Sequence, residues 1–295
     1  MLIECYDVGG TKIKAALIES GKPYKILKTV QVESIKGNAQ GLISQIKQIS
    51  AGLKSFAGKK KIDAVSIGFP GPVKDEILQS APPLHLNAPV DIKKELSGLA
   101  ESIFMDNDLN MAVMAEAMFG AKLNNFYLMT LSTGIGAGIV IDGKPLAGSC
   151  GEFGHDVLER NPNLANKCSC GRHGCWVAQA SGYGIEQSAK SLGLNVQCKE
   201  VFELAEKGDK NAKQFIERAR DYNAQGIGNM LNAFPAEAII VMGSLALGQF
   251  GKIIPGKDEI SKYTINHIPE IKATKFGEDI GIIGAYAYAL QKLRH

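Results

Sequence analysis

Apolar and polar residues follow two different periods in the first part of the chain. Leu2–Tyr6 is a short apolar run, and residues 12–18 and 24–32 alternate between apolar and polar side chains, which is the pattern of β-strands. Residues 38–56 instead carry apolar side chains at helical spacing, and residues 62–68 return to a β-like run. The opening therefore predicts a strand and a hairpin, then a helix, then a further strand.

A second copy of this opening pattern begins near residue 126. There the sequence predicts a strand at 126–131, a glycine turn at 132–136 and a strand at 137–141, followed by a Gly-Lys-Pro turn like the one at Gly21-Lys-Pro. Further along, helical spacing covers 215–234. The repeated strand–turn–strand pattern predicts two similar lobes that divide near residue 115, each presenting a glycine hairpin to a shared cleft.

Length and charge narrow the class of protein. The chain has 295 residues, enough for two packed lobes, and its net charge of +3 gives no reason to expect a nucleic-acid partner. The N-terminal sequence lacks the charged and apolar regions of a signal peptide. No run reaches the eighteen or so apolar residues that a membrane span needs. We expect a cytoplasmic protein with no membrane partner.

Two glycine-rich turns are candidate phosphate-binding sites. In Asp7-Val-Gly-Gly-Thr-Lys, glycines let backbone N–H groups approach phosphate oxygens, Thr11 can donate, Lys12 can neutralise charge, and Asp7 can hold Mg²⁺ through water. Ser132-Thr-Gly-Ile-Gly offers a second turn of the same kind. Each alone is more often an ordinary hairpin, but two in repeated units favour a nucleotide. Neither matches the Walker or the dinucleotide-binding pattern.

A carboxylate lies where a short strand runs into a helix, in Ile103-Phe-Met-Asp-Asn-Asp-Leu-Asn. An aspartate at such a junction can accept a proton from a sugar hydroxyl that attacks a γ-phosphate. The alternative is helix capping, since Asp and Asn are favoured at N-caps. Three polar residues in a row exceed what a cap requires, so both interpretations stand.

Three cysteines within eight residues predict a metal site. Cys168, Cys170 and Cys175, with His155 upstream, form the Cys₃His set of a structural zinc site, and Gly171 and Gly174 supply the tight bends. Three free thiols are the alternative. A ligating histidine keeps one ring nitrogen for another contact, so this imidazole could also touch a ligand beside Glu152.

Taken together, these motifs resemble the ROK family (repressors, open reading frames and sugar kinases). The matching segments stand in family order over nearly the whole chain: Asp7-x-Gly-Gly-Thr-Lys, Gly68-x-Pro-Gly-Pro, Asn107-Asp108-x-Asn110, Ser132-Thr-Gly-Ile-Gly, Gly151-Glu-Phe-Gly-His155 and Cys168-x-Cys-Gly-x-x-Gly-Cys175.

The resemblance implies an α/β, two-lobed, actin-like (ribonuclease H-like) ATPase fold with ATP in a cleft between the lobes. It implies an N-terminal lobe of residues 1–115, joined by a C-terminal helix at 280–295, and a C-terminal lobe of residues 116–279 that carries the zinc loop. It also implies a homo-oligomer, a dimer or a tetramer.

The resemblance further assigns roles to individual residues. Asp108 is expected to be the catalytic base, and sugar hydroxyls are expected to bind Asn107, Glu152 and His155. ATP is expected to bind the two glycine turns and an adenosine motif. Mg²⁺ and Zn²⁺ are each expected to bind a separate set of side chains. The ATP-binding residues are Gly9, Gly10, Thr11, Lys12, Thr133, Gly134, Gly243 and Ser244; the metal ligands are Asp7 for magnesium and His155, Cys168, Cys170 and Cys175 for zinc.

Two departures from the family pattern bear on the substrate. Val177 stands where the family usually has a sugar-binding Glu, and Pro83 stands where it usually has an Asn. A site built for glucose would lose the hydrogen bonds that these two side chains make, at a cost in binding free energy of roughly 1–3 kcal/mol each. We therefore expect an ATP-dependent kinase that phosphorylates a hydroxyl of a hexose or hexose-derived sugar, with a modified hexose or an open-chain sugar acid such as 2-keto-3-deoxygluconate as a candidate in place of plain glucose.

Other hypotheses about the function remain. Glucokinase and N-acetylhexosamine kinase activities are the alternatives within the enzyme class. A sugar-responsive regulator, which the family also contains, would carry a helix-turn-helix before the first glycine turn, where only six residues precede Asp7. A catalytically silent sugar-binding module is the third possibility.

Overall fold

Two five-stranded sheets with the same strand order organise the chain. The computed structural model describes residues 1–146 and 151–294. One compact unit comprises Met1–Lys122 together with the chain from Asp279 onward, and the other comprises Leu123–Glu278. We call these unit 1 and unit 2.

The strands are short and fall into two groups along the chain. Unit 1 contains β1 (Leu2–Val8), β2 (Lys12–Glu19), β3 (Lys25–Glu33), β4 (Ala64–Phe69), β5 (Val73–Lys74), β6 (Ile77–Leu78) and β7 (Ser102–Asn107). Unit 2 contains β8 (Phe126–Leu131), β9 (Ile135–Ile141), β10 (Lys144–Pro145), β11 (Ala238–Met242) and β12 (Glu270–Ala273).

The helices divide in the same way. Unit 1 has α1 (Ala39–Ala57), α2 (Ile92–Glu95), α3 (Asp108–Ala115) and, after the excursion into unit 2, α11 (Ile280–Lys292). Unit 2 has α4 (Trp176–Ala180), α5 (Gly182–Ser191), α6 (Cys198–Glu206), α7 (Lys210–Ala233), α8 (Ser244–Gly248), α9 (Phe250–Ile253) and α10 (Lys257–Ile260). Short 3₁₀ turns cover Pro82–Leu84, Glu152–His155 and Gly277–Asp279, and a π-helical turn covers Glu116–Gly120.

In unit 1 the sheet order is β3-β2-β1-β4-β7. β1 and β2 are antiparallel, as are β2 and β3, whereas β1, β4 and β7 run parallel. All residues of β4 are buried, because α1 packs on one face of the sheet and α3 and α11 pack on the other. Asp7, Gly68 and Asp106 align across the three parallel strands, so the carboxyl ends of these strands share one edge of the sheet.

In unit 2 the sheet order is β10-β9-β8-β11-β12, with the same pattern of directions. The hairpin β8–β9 takes the place that β1–β2 takes in unit 1, and β8 runs parallel to β11 as β1 runs parallel to β4. The prediction of a repeated strand–turn–strand pattern is therefore confirmed at the level of sheet topology.

Local signals explain the bounds of α1. Asn38 has an extended backbone and its side chain accepts the backbone N–H of Gly41, which satisfies one of the free donors of the first turn. Gly58 ends the helix with φ of +67°, a conformation that favours glycine. The residues with helical spacing at 42, 43, 46, 49 and 53 are all buried, which confirms the predicted helix.

Two helices differ from the sequence-based expectation. α7 begins at Lys210 rather than near 215, because the side chain of Asp209 accepts the N–H of Ala212 and caps the helix earlier. α11 ends at Lys292, where the sequence predicted a helix through 295; Leu293 and Arg294 form a turn, and residue 295 lies outside the described residues.

Each unit has its own hydrophobic core. In unit 1 the core lies between α1 and one face of the sheet; in unit 2 it lies between the sheet and α4–α7 and includes the fully buried Trp176. Across residues 1–146 and 151–294, every helix is too short or too polar to span a bilayer.

Candidate active site

Three predicted motifs meet at one edge of the unit 1 sheet. Asp7 lies near the end of β1, Gly68 near the end of β4, and Asn107 at the end of β7 with Asp108 as the first residue of α3. Parallel strands bring their carboxyl ends to a common edge, which is where open α/β sheets bind ligands. The sequence predicted each motif separately, and the sheet brings them together.

The first glycine turn (residues 9–12) is held closed by backbone hydrogen bonds. The N–H of Gly9 donates to the carbonyl of Lys12 at 2.9 Å, and the N–H of Ser34 donates to the carbonyl of Thr11 at 3.0 Å. The hydroxyl of Ser34 donates to the carbonyl of Gly9 at 2.7 Å. Thr11 and Lys12 remain exposed. Sequence reasoning missed Ser34, which carries no motif and lies 25 residues from Gly9.

Gly10 has a second reason to be glycine. A Cβ at this position would lie 2.7 Å from Cβ and 2.8 Å from the carbonyl oxygen of Pro83. Pro83 is exposed and belongs to the 3₁₀ turn Pro82–Leu84. The proline that replaces the expected asparagine therefore packs directly on the backbone of the first glycine turn.

Asp7 is half-buried on the face of the sheet that α11 covers. A Cβ at Gly281 would lie 2.2 Å from its Oδ2, so the carboxylate fits against α11 only because that residue is glycine. Burial raises the pKa of Asp7, and the charges of Lys14 and Lys12 oppose the rise only in part. A carboxylate oxygen is the hard donor that Mg²⁺ accepts directly or through water, so this residue fits the magnesium role.

Asn107 caps α3. Its Oδ1 accepts the N–H groups of Leu109 at 3.0 Å and Asn110 at 3.1 Å, and its Nδ2 donates to the carbonyl of Gly71 at 3.2 Å. The capping interpretation is thus confirmed for Asn107. A contact with a sugar hydroxyl stays a prediction, and it would have to use the remaining Nδ2 hydrogen.

Asp108 is half-buried at the first position of α3, and its Oδ1 accepts the N–H of Leu109 at 2.8 Å. A Cβ at Gly68 would lie 3.2 Å from the Cα of Asp108, so β4 packs closely beneath it. The carboxylate therefore stands on rigid elements at the sheet edge. Its role as catalytic base stays a prediction.

In unit 2 the expected ATP-binding residues also meet at strand ends. Thr133 and Gly134 follow β8, and Gly243 and Ser244 follow its parallel neighbour β11. Gly243 has φ of +99°, and a Cβ there would lie 2.5 Å from the carbonyl oxygen of Leu131, the last residue of β8. Gly243 therefore lies against the backbone at the end of β8, immediately before the turn at 132–136. Thr133 and Ser244 are exposed.

The turn Glu152–His155 lies against β9. A Cβ at Gly154 would lie 2.2 Å from the carbonyl oxygen of Ile135, so this glycine permits the close approach. The Nε2 of His155 lies 3.5 Å from Oε2 of Glu152. The structure thus brings together the two residues of unit 2 that the sequence assigned to sugar binding.

His155, Cys168, Cys170 and Cys175 form the predicted metal cluster. One potential ligand atom from each residue lies within 4.8 Å of the others. The Sγ of Cys168 lies 3.5 Å from Nδ1 of His155, and the Sγ atoms of Cys170 and Cys175 are 3.7 Å apart. Three thiols and one imidazole at these separations fit a closed tetrahedral zinc site. The imidazole directs Nδ1 to the cluster and Nε2 to Glu152.

Electrostatics around the cluster favour a thiolate at Cys170. Although burial raises the pKa of this thiol, the Nε of Arg172 donates to its Sγ at 3.4 Å and the net pKa lies below the usual range. Burial raises the pKa of Cys175, whose thiol also neighbours the other sulfur atoms. Because the thiolate is the form that binds metals, the contact with Arg172 suits Cys170 to the predicted metal site.

Tight bends and a buried tryptophan place the cysteine loop. Gly171 and Gly174 have φ of +88° and +77°, which confirms the predicted bends. Trp176 follows the last cysteine, is fully buried, and donates from Nε1 to Oδ1 of Asn223 at 2.8 Å. A Cβ at Gly226 would lie 2.4 Å from the indole ring, so α7 accepts the ring only at a glycine. The next residue, Val177, is half-buried among apolar side chains.

Comparison with known proteins identifies the same family over nearly the whole chain. The sequence model described as "ROK family" matches residues 3–292. An N-acetylmannosamine kinase of Haemophilus influenzae is 30% identical over 288 residues, which is 95% of this chain and 92% of that protein. A glucokinase of Thermotoga maritima is 29% identical over 316 residues, covering 97% and 96% of the two chains.

Solved structures show the same architecture. A ROK hexokinase from Thermus thermophilus matches with a TM-score of 0.82 and 25% identity, covering 100% of this chain and 99% of the other. A ROK family glucokinase from Streptomyces griseus, solved with glucose and AMPPNP, matches with a TM-score of 0.78 and 27% identity, covering 99% and 100%. The expected α/β, two-lobed actin-like ATPase fold is thereby confirmed.

Proposed function

The chain belongs to the ROK family, and from that premise we propose that it is an ATP-dependent kinase that phosphorylates a hydroxyl of a hexose or hexose-derived sugar. The observation that carries the proposal is the shared sheet edge in unit 1. There Asp7 and the first glycine turn lie at the end of β1 and Asp108 lies at the end of β7, and these two strands flank β4 in the same parallel part of the sheet. Relatives named as sugar kinases support the same activity.

ATP is the proposed phosphoryl donor, and glycine-rich turns are the segments proposed to bind it. Gly9–Lys12 and Thr133–Gly134 are proposed to hold the phosphates, and Gly243–Ser244 the adenosine. Mg²⁺, when bound, neutralises charge on the phosphates, and Asp7 would hold it through water. A structural relative solved with AMPPNP supports ATP as the donor.

Asp108 is proposed as the base that accepts the proton of the attacking sugar hydroxyl. The N–H of Leu109 holds one of its oxygens, and the cap formed by Asn107 fixes the start of the helix beneath it. Phosphoryl transfer depends chiefly on positioning and charge stabilisation, so a carboxylate on rigid elements suits this task.

Sugar hydroxyls are proposed to bind Glu152, His155 and the remaining amide hydrogen of Asn107. A structural zinc ion on the Cys₃His cluster would hold Nδ1 of His155 and leave Nε2 for the sugar. The proposed assembly is a homo-oligomer.

Two classes of substrate deserve testing. N-acetylmannosamine and glucose come first, because the chain is similar over nearly its whole length to proteins named N-acetylmannosamine kinase and glucokinase. A sugar acid such as 2-keto-3-deoxygluconate is the second candidate. Val177 and Pro83 present no polar side-chain atoms where the family pattern has Glu and Asn. A sugar hydroxyl placed at either position would lack a hydrogen-bond partner, which costs roughly 1–3 kcal/mol of binding free energy each.

A coupled assay of ADP release tests the proposal. Purified protein with Mg-ATP is offered hexoses, N-acetylhexosamines and sugar acids in turn, and we expect ADP release only with a suitable sugar. No turnover above background with any of them would contradict the kinase activity.

The base is tested by Asp108→Asn, which should lower kcat about a hundredfold or more while the protein stays folded. Asp91→Asn is a matched control, because Asp91 also sits at a helix N-terminus of unit 1, where it accepts the N–H of Lys94. The control should retain activity. An Asp108→Asn variant with a near-normal rate would show that another group accepts the proton.

A further inference from the structure

The residue opposite Asp7 in the sheet is a cation. In the antiparallel pair of β1 and β2, Asp7 faces Lys14, so both side chains project from the same face of the sheet. The Nζ of Lys14 lies 2.7 Å from Oδ1 of Asp279, and only 14% of the Lys14 side chain is exposed. The ammonium of Lys14 thus pairs with Asp279, and its positive charge also acts on the Asp7 carboxylate opposite it in the sheet.

The segment that carries Asp279 also touches Asp7. Asp279 immediately precedes α11, and Gly281, the second residue of that helix, lies against the Asp7 carboxylate. The close approach at Gly281 and the ion pair at Asp279 therefore come from the same few residues. A change in the charge of residue 279 is therefore made two residues along the chain from Gly281, which touches the Asp7 carboxylate.

Charge balance decides what Asp7 can bind. An ammonium that is left with Asp7 alone would pair with it and compete with any cation brought by a nucleotide. A second carboxylate at 2.7 Å draws the ammonium towards itself; the Lys14 side chain is mostly buried, whereas the Asp279 side chain is 45% exposed, so solvent screens part of this attraction. The acid at 279 thereby leaves the negative charge of Asp7 available.

We propose that Asp279 is a positioning residue: it holds the Lys14 ammonium and so keeps the Asp7 carboxylate free to take the Mg²⁺ of the bound nucleotide. The inference rests on the proposed function in one respect, the role of Asp7 towards Mg-ATP. Lys14 is the intermediate through which Asp279 acts.

A double-mutant cycle tests this chain of effects. Asp279→Asn should raise the Mg²⁺ concentration for half-maximal turnover by about three- to tenfold, since the ammonium then pairs with Asp7. Lys14→Met should not raise it, because the competing cation is gone. The double variant should return to within about twofold of Lys14→Met, a rescue that a purely structural role for the ion pair would not produce.

Binding measured by calorimetry gives a readout that needs no sugar and no turnover. The affinity for a non-hydrolysable ATP analogue is compared with and without Mg²⁺, and Asp279→Asn should reduce the gain that Mg²⁺ provides. Glu101→Gln is the matched control: it removes the partner of an exposed lysine, Lys61, at the same 2.7 Å distance in the same unit. Its Mg²⁺ dependence should equal that of the unmodified protein.

The outcomes separate the inference from the proposed function. Unchanged Mg²⁺ dependence in Asp279→Asn, or a double variant as impaired as Asp279→Asn, would overturn the inference and leave the kinase activity in place. Mg²⁺-dependent analogue binding that responds as expected, without turnover of any sugar, would support the inference and contradict the kinase activity. Analogue binding that ignores Mg²⁺ in the unmodified protein would overturn both.

Discussion

The cap residue Asn107 gives the most direct test of how the sheet edge holds Asp108. Its side chain makes three hydrogen bonds to backbone groups: it accepts from Leu109 and Asn110 and donates to Gly71. Asn107→Ala removes all three. The start of α3 then loses its cap, and the loop after β4 loses its tie to the helix.

The structure sets the size of the effect. Loss of an N-cap side chain lowers the free energy of unfolding by about 1 kcal/mol, and loss of the hydrogen bond to the Gly71 carbonyl lowers it by about 1 kcal/mol more. We expect a total of about 2 kcal/mol. Asn107→Ser separates the two contributions, because serine caps helices well but is too short to donate to Gly71. It should lose only about 1 kcal/mol.

Urea unfolding monitored by circular dichroism measures stability, and the ADP assay measures kcat on the same samples. If Asn107 only supports Asp108, both variants should lose kcat in proportion to their loss of stability. If the amide also binds sugar, Asn107→Ser should raise KM well beyond what its stability predicts. Equal stability of Asn107→Ala and the unmodified protein would refute the capping argument.

Three further predictions follow from single contacts. Glu4 is fully buried and burial raises its pKa above the ordinary 4.5, despite hydrogen bonds from Tyr6 and Ser50. The native state therefore loses stability as pH rises from 4.5 through that raised pKa, so Glu4→Gln should be the more stable protein in urea at pH 7, with the difference closing by pH 4. Cys175→Ser should lower the zinc content measured by atomic emission well below one ion per chain and lower the midpoint of thermal unfolding, whereas Cys198→Ser, outside the cluster, should leave the zinc content unchanged. Gly281→Ala should weaken Mg²⁺-dependent analogue binding in calorimetry, since its Cβ would meet the Asp7 carboxylate at 2.2 Å.

Elements whose signals are local were predictable from the sequence. α1 carries a cap at Asn38, a stop at Gly58 and a buried stripe of helical period, and its bounds follow from these alone. β11 (Ala238–Met242) is an apolar run that ends at a glycine, which is a signal of the same local kind. The early start of α7 had a local signal as well, the cap at Asp209, which lies outside the apolar periodicity that defined the predicted helix.

Contacts between distant segments were not predictable in the same way. The hydroxyl of Ser34 reaches Gly9 across 25 residues, and the amide of Asn107 reaches Gly71 across 36. No periodicity or motif relates such pairs. They arise because parallel strands and the hairpin bring loop after loop to one edge of the sheet, and this follows from topology rather than from any local pattern.

Spacing indicated the Cys₃His cluster because three of its four residues lie close together along the chain. Cys168, Cys170 and Cys175 fall within eight residues, and two glycines between them allow the bends that the loop needs. Spacing could not show which ring nitrogen of His155 faces the sulfur atoms. That orientation depends on the 3₁₀ turn and on its packing against β9 through Gly154.

A glycine in the proposed ATP-binding turns can be required either by packing within the protein or by a ligand, and the sequence does not separate these two causes. The space that a Cβ would occupy at Gly10 is filled by Pro83, and at Gly243 it is filled by the end of β8, so these glycines are required by the packing of the protein itself. A Cβ at Gly134 would meet no atom of the described residues within 4 Å. No packing contact within residues 1–146 and 151–294 requires glycine at 134, and a phosphate approaching the backbone is the ligand that the proposed function would bring there. Alanine at 134 therefore tests ligand approach alone, whereas alanine at 243 tests the fold.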